Sequence, residues 1–311
     1  MRKLVLVFTT VILAMPFLYA DENGKEYKKM VSKLGLAAES AKNARSAEEF
    51  WEVVCKENEE LCKFNKLLNE KKAAAIKAEE EINESLEKIR YYYNSLDIEA
   101  NKSDTLIIRL LKDLGALRVN SQTKLYVVND TNFEAFASPD MSIYLCTGML
   151  TDKMMYPQIL GICAHEFVHC ILQHSKVRIF NDKKMDKQNR WITGVQTFLT
   201  VGTGSASIDE GVRNISGKNE STIFEPTALN EKKYRYTYSW EQEIEADIIA
   251  CKFIEYLGYN ASEYIEALRV MKGCMPKYLN YPDKSTHPTI SYRIGLLEYM
   301  VNHPKTVKNK H

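Results

Sequence analysis

The segment from Ile159 to Leu172 is apolar on almost every side except at His165, Glu166 and His169. A helix with so little polar surface has to be buried. Buried imidazoles and carboxylates need partners, and one metal ion satisfies two histidines at once. His165 and His169 are four apart, on one helical face and about 5–6 Å apart at Cβ, so both can reach the same ion. Glu166 lies about 100° further round the helix. There it is off the ligand face but placed to take a proton from a water at the metal. Pro157 suits the first turn, where its missing N–H costs nothing. The pattern predicts a helix from about Pro157 to Ser175, and with six histidines in 311 residues the pair is no by-product of a His-rich chain.

Two nitrogens do not complete a site, because a catalytic zinc takes three protein ligands and keeps a fourth position open. The third should come from a separate element. Glu241-Gln242-Glu243-Ile244-Glu245-Ala246-Asp247 opens a second apolar helix that runs on through Ile248, Ile249, Phe253 and Ile254. Glu243 and Asp247 are again four apart and share a face. One can bind the metal while the other holds a ligand histidine in place. An acidic first turn that complements the helix dipole gives the same pattern, so these residues alone leave the assignment open.

Taken together, the blocks resemble a known family. HEFVH at 165–169, followed much later by Glu243-Ile244-Glu245-Ala246-Asp247, is similar to the gluzincin endopeptidases of the CAAX-prenyl endopeptidase, HtpX, Oma and BepA type. Ser285-Thr286-His287-Pro288 through Arg293-Ile294 resembles that family's S-T-H-P-x-x-x-x-R-I stretch. Ala135-Phe136-Ala137-Ser138-Pro139, with Ile143-Tyr144-Leu145 and Gly148-Met149-Leu150, resembles its edge-strand region. The four blocks keep the family's order and cover residues 105–300. The resemblance implies His165, His169 and Glu243 as ligands of one Zn2+, Glu166 as general base, and Asp247 as the acid that orients a ligand histidine. It implies that His287 and Arg293 close over the site as catalytic residues, near the metal or the substrate carbonyl, and that His287 could latch the metal. Glu134 stands where the family carries Asn, Asp140-Met141 where it carries Gly, and Trp240 where Arg is common. None of these is an implied ligand, so they bear on substrate preference.

The fold that the resemblance implies is α+β but mainly α: a zincin-like core with an active-site helix and a small sheet. Leu125–Val128, Phe133–Ala137 and Ser142–Cys146 are rich in strand formers. If the last two make an exposed edge, an extended polypeptide could add as another strand, with little regard to its sequence.

Arg2 and Lys3 precede an apolar stretch from Leu4 to Leu18, then Tyr19-Ala20. That is the form of a signal peptide over residues 1–20, cut after Ala20; the alternative is an N-terminal membrane anchor. The chain then reads as an exported, periplasmic protein, with peripheral membrane association left open. Losing Arg2 and Lys3 takes the formal charge from +1 to −1, and no basic stripe points to nucleic acid.

Residues 21–100 read as a charged helical region, either a packing element or a docking arm, and 101–311 as the catalytic domain. Within the latter, 176–238 is rich in Asn, Gly, Ser and Lys and reads as an irregular lid, with Tyr234, Tyr236 and Tyr238 alternating as an extended piece. Seven cysteines leave at least one unpaired. Cys55 with Cys62, and Cys163 with Cys170, are seven apart, so a helix sets each pair about 10 Å apart at Cα, beyond the ~7 Å reach of a disulfide. Two functions fit this reading: an exported zinc endopeptidase for unfolded or misassembled envelope proteins, and a protease-like chaperone that binds clients with hydrolysis latent.

Overall fold

The computed structural model describes residues 37–83, 98–99, 105–181, 229–274 and 288–302. The signal segment, most of the lid stretch (182–228) and His287 lie outside these residues.

The N-terminal part is helical: α1 (Ala37–Ala41), α2 (Ala47–Glu57), α3 (Glu59–Asn69) and α4 (residues 73–83). Ser46 caps α2 by accepting from the Glu49 N–H. Asn58 closes α2 and opens α3, its side chain accepting from the Leu61 N–H at 2.8 Å. The faces these caps orient are aromatic. Trp51 is fully buried, edge-on to Phe167 and tilted over Phe253 with ring centroids 4.3 Å apart. Its indole N–H donates to the Leu114 carbonyl at 2.7 Å. These helices therefore share one apolar core with the helices that carry Phe167 and Phe253, and Trp51 packs α2 against them.

β1 (Ile98–Glu99) precedes α5 (Thr105–Asp113) and α6 (Ala116–Val119), and forms a small sheet with β2 (Lys124–Val128), β3 (Ala135–Ala137) and β4 (Ser142–Cys146). The order is β1-β2-β4-β3, with β2 and β4 parallel and β3 antiparallel to β4. Among the described residues β3 ends the sheet. Its neighbours Ser138 and Glu134 bond to β4 through Ser142 and Cys146, so the backbone groups of Ala135 and Ala137 turn the other way.

Helix α7 (Tyr156–Ile171) carries HEFVH through the middle of the molecule, with Pro157 in its first turn as expected. It is shorter than the pattern predicts. Gln173 has φ 49, a left-handed conformation, and this breaks the helix before α8 (His174–Asn181) begins. Helix α9 (Leu229–Tyr256) lies along α7, followed by α10 (Ser262–Cys274) and α11 (Ile290–Asn302). The flanks of the expected lid are thus helical, and 229–238, including the three alternating tyrosines, continues into α9 rather than forming an extended piece. All seven cysteines are free, with Cys146, Cys163, Cys170 and Cys251 buried. Among the described residues no helix is long and apolar enough to cross a membrane.

Candidate metal centre

Helix α7 presents His165 and His169 to Glu243 on α9. The two Nε2 atoms are 3.2 Å apart. His165 Nε2 is 3.4 Å from Glu243 Oε2, and His169 Nε2 is 3.2 Å from Glu243 Oε1. A tetrahedral zinc with bonds of about 2.0–2.1 Å sets neighbouring donors about 3.3 Å apart; the two nitrogens meet that spacing and each has its own Glu243 oxygen at a similar distance, with one donor atom from each residue within 4.8 Å of the others. The donor set is also built to hold positive charge. Burial works against a charged His165, yet Glu243 and Asp247 outweigh it and raise the imidazole to about 9.

Glu166 is one residue round the helix and 5% exposed. Among the described residues its Oε2 has no hydrogen-bond partner, while the carboxylate accepts from the Ala137 backbone N–H at the sheet edge. Burial, opposed by His165 and reinforced by Glu243, pushes this carboxyl up to about 8. A nearby dication works in the opposite direction. This carboxyl is thus bonded to β3 on one side and lies close enough to His165 and Glu243 to feel their charges on the other.

Asp247, one helical turn after Glu243, has no exposed surface. Its Oδ1 is 3.0 Å from His165 Nδ1, the nitrogen that faces away from the triangle. Arg293 on α11 holds the same carboxylate with two bonds, Nε to Oδ2 at 2.8 Å and Nη2 to Oδ1 at 2.6 Å. Burial alone would raise Asp247, but Arg293 and then His165 prevail and hold it at about 2. Arg293 also reaches toward Glu243 Oε2 at 3.5 Å. It is itself buried, with Nε and Nη2 on Asp247 and Nη2 also 3.2 Å from the Tyr264 hydroxyl, so it is in direct contact with the residues that surround the two histidines.

Sequence reasoning passed over two residues. Tyr264 on α10 donates to Asp247 Oδ1 at 2.6 Å and lies 3.0 Å from His165 Nδ1. Nothing local marks it among 18 tyrosines. Its ring fits because α7 carries Gly161 there: a Cβ at 161 would lie 2.9 Å from Tyr264 Cδ2 and 3.1 Å from its Cβ. Gly161→Ala should therefore destabilise the protein by about 1–3 kcal/mol through overpacking, although Ala favours a helix by up to about 1 kcal/mol. Thermal denaturation checks this, and a more stable variant would contradict the close approach. The second overlooked residue is His174, whose Nδ1 lies 2.8 Å from His169 Nδ1.

The sequence profile of peptidase family M48 matches residues 101–301, about two-thirds of the chain and the part that contains every residue of this cluster. The chain belongs to peptidase family M48. Its residues 101–301 are accordingly a metallopeptidase domain, which is what a His-His-Glu donor set beside a buried carboxylate would serve. Among solved structures, a crystal structure of Ste24p from S. mikatae is similar at 14% identity, covering 96% of this chain and 66% of that one, with a TM-score of 0.44. The chain thus spans just under two-thirds of the length of that protein. No curated protein sequence matches it.

Proposed function

We propose that the protein is an exported zinc-dependent endopeptidase that cleaves unfolded or misassembled envelope proteins. The observation that carries this reading is the donor triangle of His165, His169 and Glu243, with the Glu166 carboxylate close by and bonded to the edge of the sheet. These three residues would hold one Zn2+ per chain. Zinc bound there supplies a Lewis acid that polarises the scissile carbonyl and acidifies water.

The chain's own residues do the rest. Glu166 accepts a proton from the attacking water as the new carbon–oxygen bond forms. It returns that proton to the amine nitrogen as the carbon–nitrogen bond breaks. Asp247, held by Arg293 and Tyr264, keeps His165 turned so that Nε2 faces the other donors. Ala135 directs its backbone groups, and Ala137 its carbonyl, away from β4, while the Ala137 N–H is held by Glu166; an extended substrate paired with the remaining groups would lie along the cleft with its carbonyl near Glu166. Pairing of that kind is tolerant of sequence, which suits unfolded clients. The basic n-region, apolar stretch and Ala20 support export. N-terminal sequencing of the mature protein tests that part, and a chain that still begins at Met1 would contradict it.

Hydrolysis is tested by chelation. Casein degradation should stop on treatment with a strong chelator and return on addition of stoichiometric Zn2+. Degradation that continues with the metal fully removed would refute the zinc reading.

A further inference from the structure

The His174 ring sits in a line of polar groups that joins the metal centre to the N-terminal helices. Its Nδ1 is 2.8 Å from His169 Nδ1, with the two rings nearly perpendicular. Its Nε2 faces Glu245 Oε2 on α9 at 3.4 Å. Glu245 Oε1 in turn accepts from the Asn58 side-chain amide at 2.8 Å, and Asn58 is the residue that links α2 to α3. His174 is buried, and its carbonyl accepts from Gln242 Nε2 at 2.9 Å. The Nε2 side of the ring and the residue's carbonyl therefore both face α9, the helix that supplies Glu243.

An unbroken α7 could not build this contact. Five residues along a helix amount to about 140° of rotation and 7.5 Å of rise, which would carry His174 away from His169. The left-handed Gln173 ends the helix and folds the next turn back. A non-glycine residue in that conformation costs about 1–2 kcal/mol, and the contact it makes possible is the one between the two histidines.

The order of protons along the line follows from chemistry. A neutral imidazole that binds a metal through Nε2 carries its hydrogen on Nδ1. His169 must then donate from Nδ1, so His174 must accept at Nδ1 and carry its own hydrogen on Nε2. That hydrogen lies on the side of the ring that faces Glu245 Oε2 at 3.4 Å. Burial, with His169 beside it, holds His174 well below the usual imidazole range, in keeping with a neutral ring.

We propose that His174 is a positioning residue for the metal ligand His169, its Nδ1 accepting a hydrogen bond from the His169 Nδ1–H. The proposal rests on the zinc reading above and adds a residue to it. It also makes the two ligand histidines unequal: His165 leans directly on a carboxylate, and His169 on a neutral imidazole.

The test uses the full chain. In His174→Asn the amide oxygen takes the place of Nδ1 and keeps an acceptor, whereas His174→Leu has similar size and none. Zinc affinity, measured by competition with a chromogenic chelator, should fall about 10–100-fold in His174→Leu and be largely recovered in His174→Asn. The visible spectrum of the Co2+-substituted protein should shift in His174→Leu and match the wild type in His174→Asn. A merely structural role would instead lower the melting temperature of the metal-free forms with no change in that spectrum. NMR of 15N-histidine-labelled wild type loaded with zinc reads the protons directly: Nε2–H at His174 and Nδ1–H at His169 are expected. The opposite His174 tautomer, or wild-type zinc affinity in His174→Leu, overturns the proposal while leaving the zinc reading intact. A wild-type protein that takes up no zinc overturns both.

Discussion

Glu166→Gln is expected to lower casein hydrolysis about 10²–10⁴-fold with zinc content unchanged. Gln keeps the size of the side chain and an oxygen that can accept from the Ala137 N–H, the bond that orients the carboxylate at the sheet edge. What it loses is the ability to take up and return a proton. Since Glu166 stands outside the donor triangle, metal analysis of the variant should still give one zinc per chain. Substrate affinity should hold as well, so the loss falls on kcat. Hydrolysis at the wild-type rate would remove Glu166 from the mechanism. Full biological activity without hydrolysis would favour the chaperone reading, in which clients are held along the edge strand and not cut.

The sequence carried those parts of the site that obey local periodicity. His165, Glu166 and His169 fall on one helix with an apolar surround, and spacing alone sets their relative directions. Glu243 and Asp247 repeat the argument on a second helix. The parallel pairing of β2 with β4 was not legible, since strand composition does not fix partners. Tyr264 was hidden for a related reason: its role exists only where α10 crosses α7 over Gly161, and no pattern within either helix announces that crossing. His174 was hidden by a break in regularity. Periodicity placed it on the far side of a helix that in fact ends three residues earlier, at Ile171. Trp51 shows the same limit at the level of domains. A charged, Lys- and Glu-rich stretch leaves a packing element and a docking arm both open, and only the fold shows that Phe50 and Trp51 within it reach Phe253 and Phe167.

The largest expected loss of stability belongs to Asp247. It is fully buried and carries two bonds from Arg293, one from Tyr264 and a contact to His165. Asp247→Ala leaves the Arg293 guanidinium buried without its partner, which costs about 3–5 kcal/mol, or a fall in melting temperature of about 10 °C. The sign with pH follows from the depressed carboxyl: the pair contributes fully above its ordinary value of 3.8 and is lost as pH falls toward about 2. The loss should thus be undiminished at neutral pH. Stability and metal binding separate in the double variant Asp247→Leu with Arg293→Met. Apolar side chains of similar volume can replace a buried ion pair at little cost, so the melting temperature of the metal-free protein should largely recover. Zinc affinity should not, because His165 has lost the carboxylate that turns its ring, a loss of about 10–100-fold. A double variant that binds zinc as tightly as the wild type would show that Asp247 serves the fold alone.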